Sequence, residues 1–259
     1  MKIGAQLYTV REYMKDEKSM SESLKKIADI GYHYVQVSGT GPYDPQWMRE
    51  ELEKNGLQCV ITHTNQERMI KEPEQVAAEH DILGTDYIGI GMYDIRRVGM
   101  DGFIERFKPV AECFKKHGKL LMYHNHDLEF EKLGGKLIMD QLLEAFPADE
   151  LGFTLDTFWA QAGGADPAYW LKKLKGRTPC VHFKDMGFRS NPEERFSVGR
   201  GRIMLPVGEG NMNNDAIIEA ALENGTKYAL VEQDDCNGED PFDCLRRSYE
   251  FLTAKGLEA

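Results

Sequence analysis

The sequence predicts a closed (β/α)₈ barrel, and three observations carry that expectation. Eight short runs of β-branched and aromatic residues alternate with eight longer amphipathic runs from one end of the chain to the other. No break in composition divides the chain, and its 259 residues match the ~250 typical of one such barrel. The later short runs also end on acids and histidines, the residue types a barrel presents at the carboxyl ends of its strands.

The strand runs are 2–9 (KIGAQLYT), 34–38 (YVQVS), 58–64 (QCVITHT), 86–91 (DYIGIG), 119–125 (KLLMYHN), 151–156 (LGFTLD), 179–184 (PCVHFK) and 228–233 (YALVEQ). Their length and β-branched content suit buried strands. Helices are expected between them at 19–30, 45–55, 73–83, 101–117, 135–146, 167–175, 213–224 and 241–255. In 101–117 the apolar Phe103, Ile104, Phe107, Val110, Ala111 and Phe114 recur at steps of three and four, so one face buries and the rest is solvated. Asp166-Pro167 and Asp240-Pro241 read as an N-cap followed by proline at the first helical position. Gly84 and Gly225 follow their helices as stop signals.

A doubly wound open sheet is the fallback. It is disfavoured because no Gly-x-Gly-x-x-Gly follows the first strand and no Walker sequence occurs. The expected domain is therefore 1–259, with an inserted loop or hairpin at about 186–212 that contains RFSVGRGRIMLPVGEGN, Arg195 to Asn211. That connection is too long for an ordinary barrel loop, so it is expected to form a lid or a substrate-contacting hairpin on the functional face.

Composition narrows the partners. A hydrophobic fraction of 41% with 29% charged residues is that of a folded soluble protein. With 43 acidic against 32 basic residues, the net charge of −11 repels phosphate backbones, which argues against nucleic acid. No uninterrupted apolar stretch of about 18 residues suggests a membrane span. Five widely spaced cysteines without a Cys-x-x-Cys pair, and an N-terminus that reaches charge early, lead to the expectation of a reducing, cytoplasmic setting.

The chemistry concentrates where strands end. The fifth run leads into YHNHDLEF, Tyr123 to Phe130, and the sixth ends on Asp156. The seventh carries His182 and Lys184 two residues apart, and the eighth carries Glu232. Side chains alternate inward and outward along a strand, so these groups can share one rim. Carboxylates and imidazoles converging from separate strands are what a divalent cation needs, and an oxygen-rich set suits Mn²⁺ or Mg²⁺.

Taken in order, HNHDLEF, DTFWAQAGGADP, HFKD, VGEGN and VEQD make the chain resemble the sugar phosphate isomerase/epimerase family with the xylose isomerase-like TIM barrel, to which tagatose-type epimerases, inosose dehydratases and endonuclease IV are related. The likeness runs over essentially the whole chain. It implies a divalent metal, usually manganese with Mg²⁺, Zn²⁺ and Co²⁺ as other candidates, held by Glu129, Asp156, His182 and Glu232. It also implies that Glu129 and Glu232 act as the acid/base pair, and that such barrels often form homo-oligomers. Glu129 lies an odd number of residues from His124 and His126, so it reaches the metal only if the strand ends or bulges first; otherwise one of those histidines ligates instead. Many relatives have a histidine three residues after the metal aspartate, whereas this chain has Trp159.

His124, His126, Lys184, Tyr8 and Trp159 are expected to contact substrate, with Gln6, His63, Arg200 and Arg202 as further candidates. The resemblance implies a sugar, keto-sugar or cyclitol as substrate and proton abstraction beside its carbonyl as the reaction. Return of the proton gives isomerisation or epimerisation. An inosose-type dehydratase or 3-keto-glycoside lyase would use the same site, a carbohydrate-binding barrel without catalysis is the non-enzyme alternative, and a nuclease is disfavoured by the acidic charge.

Overall fold

The structure is a computed structural model and describes residues 1–189 and 201–258. Eight parallel strands close into a barrel in sequential order. They are β1 (Lys2–Gln6), β2 (Tyr34–Val37), β3 (Gln58–His63), β4 (Tyr87–Ile90), β5 (Leu120–His124), β6 (Leu151–Asp156), β7 (Cys180–Phe183) and β8 (Tyr228–Val231). The last strand pairs with the first through Lys2↔Tyr228 to Ala5↔Val231, so no edge remains open.

The helices follow the expected rhythm: α1 (Glu17–Ile30), α2 (Pro45–Lys54), α3 (Gln66–Lys71), α4 (Pro73–Leu83), α5 (Gly99–Lys116), α6 (Ile138–Ala145), α7 (Thr157–Ala162), α8 (Pro167–Lys173), α9 (Asn214–Asn224) and α10 (Pro241–Ala254). Asp166 and Asp240 accept backbone N–H bonds as N-caps ahead of proline. Gly84 and Gly225 close α4 and α9 in the left-handed region, at φ 73° and 81°. The short α3 and α7 were not anticipated, because each is a six-residue piece lying within a loop after a strand.

Two hydrophobic regions form. Between strands and helices lies the larger, including Phe103, Phe107, Phe114, Phe146 and Phe153. Inside the barrel Val60, Ile61, Met122, Cys180 and Leu230 form a smaller plug. The period-two alternation of each later strand then gives the site its position. Met122 leads to His124, Cys180 to His182 and Leu230 to Glu232, so each wall passes from apolar plug to polar floor in one step. The register sets Asp156 beside His182 on neighbouring strands.

The inserted segment contains an antiparallel hairpin, Asp185–Phe188 against Arg202–Leu205. A second hairpin, Lys132–Leu133 against Lys136–Leu137, turns through Gly134-Gly135, both at positive φ. Among the described residues no helix is long and apolar enough to cross a membrane.

Candidate metal centre and cavity

His124, Asp156, His182 and Glu232 converge from four adjacent strands, offering one ligand atom each, all within 4.8 Å of one another. All four are buried. Each imidazole is oriented by its second nitrogen. His124 Nδ1 donates to the Gly91 carbonyl at 2.7 Å, which leaves Nε2 facing Asp156 Oδ2 at 3.1 Å. His182 Nε2 donates across the barrel to Gln36 Oε1 at 2.6 Å, leaving Nδ1 toward Glu232 Oε2 at 2.8 Å and Asp156 Oδ2 at 3.6 Å. Asp156 divides its oxygens similarly: Oδ1 accepts from the Trp159 N–H at the start of α7, and Oδ2 turns to the cluster.

His182 Nδ1 and Glu232 Oε2, although close, are not aligned as a hydrogen bond, and each is a buried polar atom without a hydrogen-bond partner. Two imidazole nitrogens and two carboxylate oxygens, converging with orphaned atoms among them, fit a divalent cation.

Lys184 stands over this group. Its ammonium lies 3.0 Å from Asp156 Oδ2, 2.9 Å from Glu232 Oε2 and 2.8 Å from Asp234 Oδ2. Burial alone would favour a neutral amine, but the three carboxylates outweigh it and hold the pKa above its usual value. Burial likewise opposes ionisation of Asp156 and Glu232, yet the Lys184 charge and the histidines draw both well below the ordinary carboxylate range. Asp234 behaves differently: burial and the nearby Glu232 charge raise it.

Glu129, expected as the fourth ligand, is not in the cluster; His124 is. The chain leaves β5 after His124 and makes a 3₁₀ turn at Leu128–Phe130, so the alternation ends before Glu129. Its carboxylate accepts from Tyr123 Oη and from the His126 N–H, both at 2.7 Å. Tyr123 packs in the outer core rather than in the barrel plug, and its hydroxyl holds Glu129 there. Burial raises its pKa despite those two bonds.

A cavity of about 690 Å³ opens above the cluster, lined by Tyr8, His63, Met92, His124, His126, Leu128, Trp159, Lys184, Glu232 and Asp234 among others. The anticipated contacts His124, His126, Lys184, Tyr8 and Trp159 thus share one space. Tyr8 reaches it from a 3₁₀ turn, Leu7–Tyr13, because β1 ends at Gln6. Gln6 is not among the lining residues, while His63 is. His126 and Trp159 pack ring against ring at 5.3 Å, and His126 Nδ1 and Trp159 Nε1 are buried without partners. Arg202 turns instead to the Ala162 carbonyl at the end of α7. Arg200 lies outside the described residues.

Three residues escaped the sequence reading. Asp234 had a signal, since it lies two residues past Glu232 and shares its strand parity. Gln36 was also legible, as a polar residue inside the buried run YVQV. Asn125, whose Oδ1 accepts the Asp156 N–H at 2.9 Å, was seen only as part of the polar cluster.

A family model described as xylose isomerase-like TIM barrel matches residues 24–255. The chain belongs to that family. No curated protein matches the sequence. Among solved structures, the family member is similar to a sugar phosphate isomerase/epimerase from Parabacteroides distasonis, with 23% identity, a TM-score of 0.79 and coverage of 98% of this chain and 93% of the other. It is similar to a probable 3-DHS dehydratase involved in petrobactin synthesis from Bacillus anthracis, at 19% identity, TM-score 0.72 and coverage of 98% and 99%. An L-ribulose 3-epimerase matches at 15% identity, TM-score 0.73 and coverage of 98% and 94%. At these identities the three likenesses establish the fold.

Proposed function

We propose that this barrel is a divalent-metal-dependent isomerase or epimerase that removes a proton beside the carbonyl of a keto-sugar or related polyol. The observation that carries the reading is the convergence of His124, Asp156, His182 and Glu232 at the floor of a cavity large enough for a sugar. Those four residues would hold the cation, with manganese favoured and Mg²⁺, Zn²⁺ or Co²⁺ as alternatives. A bound cation would supply Lewis-acid polarisation of a substrate carbonyl.

The chain's own residues do the rest. Lys184, kept cationic by its carboxylate neighbours, donates hydrogen bonds to the oxygen on which negative charge develops. Glu232 is ionised and lines the cavity, so it takes the carbon-bound proton. His126 and Trp159 offer unspent polar atoms to substrate hydroxyls, while Tyr8, Met92 and Leu128 give the mouth an apolar rim against ring carbons. Return of the proton to the opposite face gives epimerisation, and to the adjacent carbon gives isomerisation. Glu129 serves by holding the His126 backbone rather than as the second acid/base.

One observation favours a second reading. Asp234, raised by burial and by Glu232, lines the same cavity and is placed to protonate a leaving group, as in an inosose-type dehydratase or a 3-keto-glycoside lyase.

Metal-loaded protein incubated in D₂O with ketoses, inososes and 3-keto-glycosides tests both. Solvent deuterium at one carbon next to the carbonyl is expected. Deuterium in recovered sugar supports epimerisation or isomerisation, and an unsaturated product supports elimination. Tight binding of a panel member without exchange would leave a carbohydrate-binding barrel, and neither binding nor exchange would end the proposal.

A further inference from the structure

We propose a second cation site, on the outer surface and unconnected with the cavity, in which Glu74, Cys113 and His117 clip α4 to α5 around a zinc-type ion. Glu74 lies in the first turn of α4, and Cys113 and His117 are one turn apart at the end of α5, which packs alongside. Their ligand atoms lie within 4.8 Å of one another. Tetrahedral zinc with bonds of about 2.0–2.3 Å spaces its ligands about 3.5 Å apart, so small side-chain rotations close the set. An i, i+4 pair on one helix presents both donors on the same face.

The donor chemistry selects the ion. A thiolate, an imidazole and a carboxylate match zinc and its cobalt surrogate, whereas Mg²⁺ and Mn²⁺ disfavour a thiolate ligand. The donors are also unspent. Among the described residues Glu74 and His117 make no side-chain hydrogen bond or ion pair, although nearby Glu67, Glu72 and Glu79 all pair with arginine or lysine. Cys113 is half-buried, and its burial and the Glu74 charge raise its thiol, a cost that a cation between them removes. The end of α5 adds favourable carbonyl dipoles, since helix C-termini attract positive charge. None of the three lines the cavity above the barrel floor, and they stand on two neighbouring helices, so the site is structural: it ties α4 to α5.

This site does not depend on the reaction proposed above, and its test is spectroscopic. Co²⁺ is titrated into the reduced full-length protein while the thiolate-to-cobalt charge-transfer band is followed, then displaced with Zn²⁺. The barrel-floor group has no sulfur and contributes nothing to that band. The wild type is expected to develop the band as one cobalt per chain binds beyond any held at the barrel floor, and to lose it on zinc addition. Cys113→Ser should abolish it, and His117→Ala and Glu74→Ala should each raise at least tenfold the metal concentration needed to develop the band. Both latter positions are exposed, so these variants keep the core intact if Cys113→Ser folds poorly. Absence of the band, its persistence in Cys113→Ser, or a band that develops at the same cobalt concentration in the Glu74→Ala/His117→Ala double variant would overturn the site.

Discussion

Each imidazole at the barrel floor gives one nitrogen to a neutral acceptor and keeps the other for the cluster. For His182 that acceptor is a side chain, so it can be tested. Gln36→Leu removes it without adding charge, leaving the His182 ring free to take the wrong tautomer. Such outer partners are typically worth 10–100-fold in metal affinity. The expected result is a loss of that size in a chelator competition, and an unchanged affinity would show that His182 does not hold the ion. Glu129 allows the converse experiment. Because its carboxylate is taken up by Tyr123 and His126, Glu129→Gln should keep a full equivalent of cluster-bound metal while costing about 1–3 kcal/mol in urea unfolding through the weakened hydrogen bonds. Loss of the ion would return Glu129 to the ligand set. The contrast between Glu129 and Asp156 shows how far a sequence reaches at this scale. Asp156 sits at a strand end, where parity decides its direction, and parity is written in the spacing. Glu129 lies past the strand, where a 3₁₀ turn decides its direction, and HDLEF carries no signal for that turn. Trp159 was legible as a cavity residue because it stands where many relatives carry a histidine three residues after the metal aspartate, and the structure shows its N–H capped by Asp156.

At the scale of elements, the segment after β7 is organised by one buried carboxylate. Asp185 accepts from the backbone N–H groups of Gly208, Gly210 and Met212 and from Asn214 Nδ2, and so gathers the VGEGN stretch against the start of the hairpin. Gly210 passes so close that a Cβ there would sit 2.2 Å from Asp185 Oδ1. Asp185→Ala leaves several buried donors without a partner, and a loss of about 3–5 kcal/mol is expected in denaturant unfolding. A loss below about 1 kcal/mol would mean that water replaces the carboxylate. A second element-level device is His80 in α4, whose Nδ1 donates to Val76 O and whose Nε2 lies 2.7 Å from Thr62 Oγ1 on β3. Burial lowers its pKa from 6.5 to about 4. The folded state therefore prefers the neutral ring, so its contribution is complete above pH 6.5 and is lost as pH falls toward 4. Wild type should lose about 3 kcal/mol more than His80→Gln between pH 7 and pH 4. Parallel pH profiles for the two proteins would refute this. The eight strands and the main helices were legible because alternation and amphipathic period persist over whole elements. The short α3 and α7 were not, because one and a half turns inside a polar loop leave no period to read.

Over the whole molecule, the cluster links ligand chemistry to the closure of the barrel. Its four residues stand on β5 through β8, and β8 closes the sheet against β1. An ion bound by all four fastens four neighbouring walls together and has no comparable site in the unfolded chain, so it should stabilise the fold as a unit. At a free concentration a hundred times the dissociation constant, linkage gives about 2.7 kcal/mol. For a domain of this size that corresponds to a rise in Tm of roughly 5–10 °C. Mn²⁺ is the probe of choice, because the thiolate-bearing surface trio disfavours it while the barrel floor accepts it. The expected outcome is a concentration-dependent rise in Tm for the wild type and for Cys113→Ser, and none for Asp156→Ala. The comparison must be made against Asp156→Ala without metal, since that substitution also removes the cap of α7 and frees Lys184 from one of its carboxylates. A Tm that ignores Mn²⁺ in the wild type, or responds equally in Asp156→Ala, would place the ion somewhere other than the barrel floor, and the chemistry proposed for the cavity would lose its anchor.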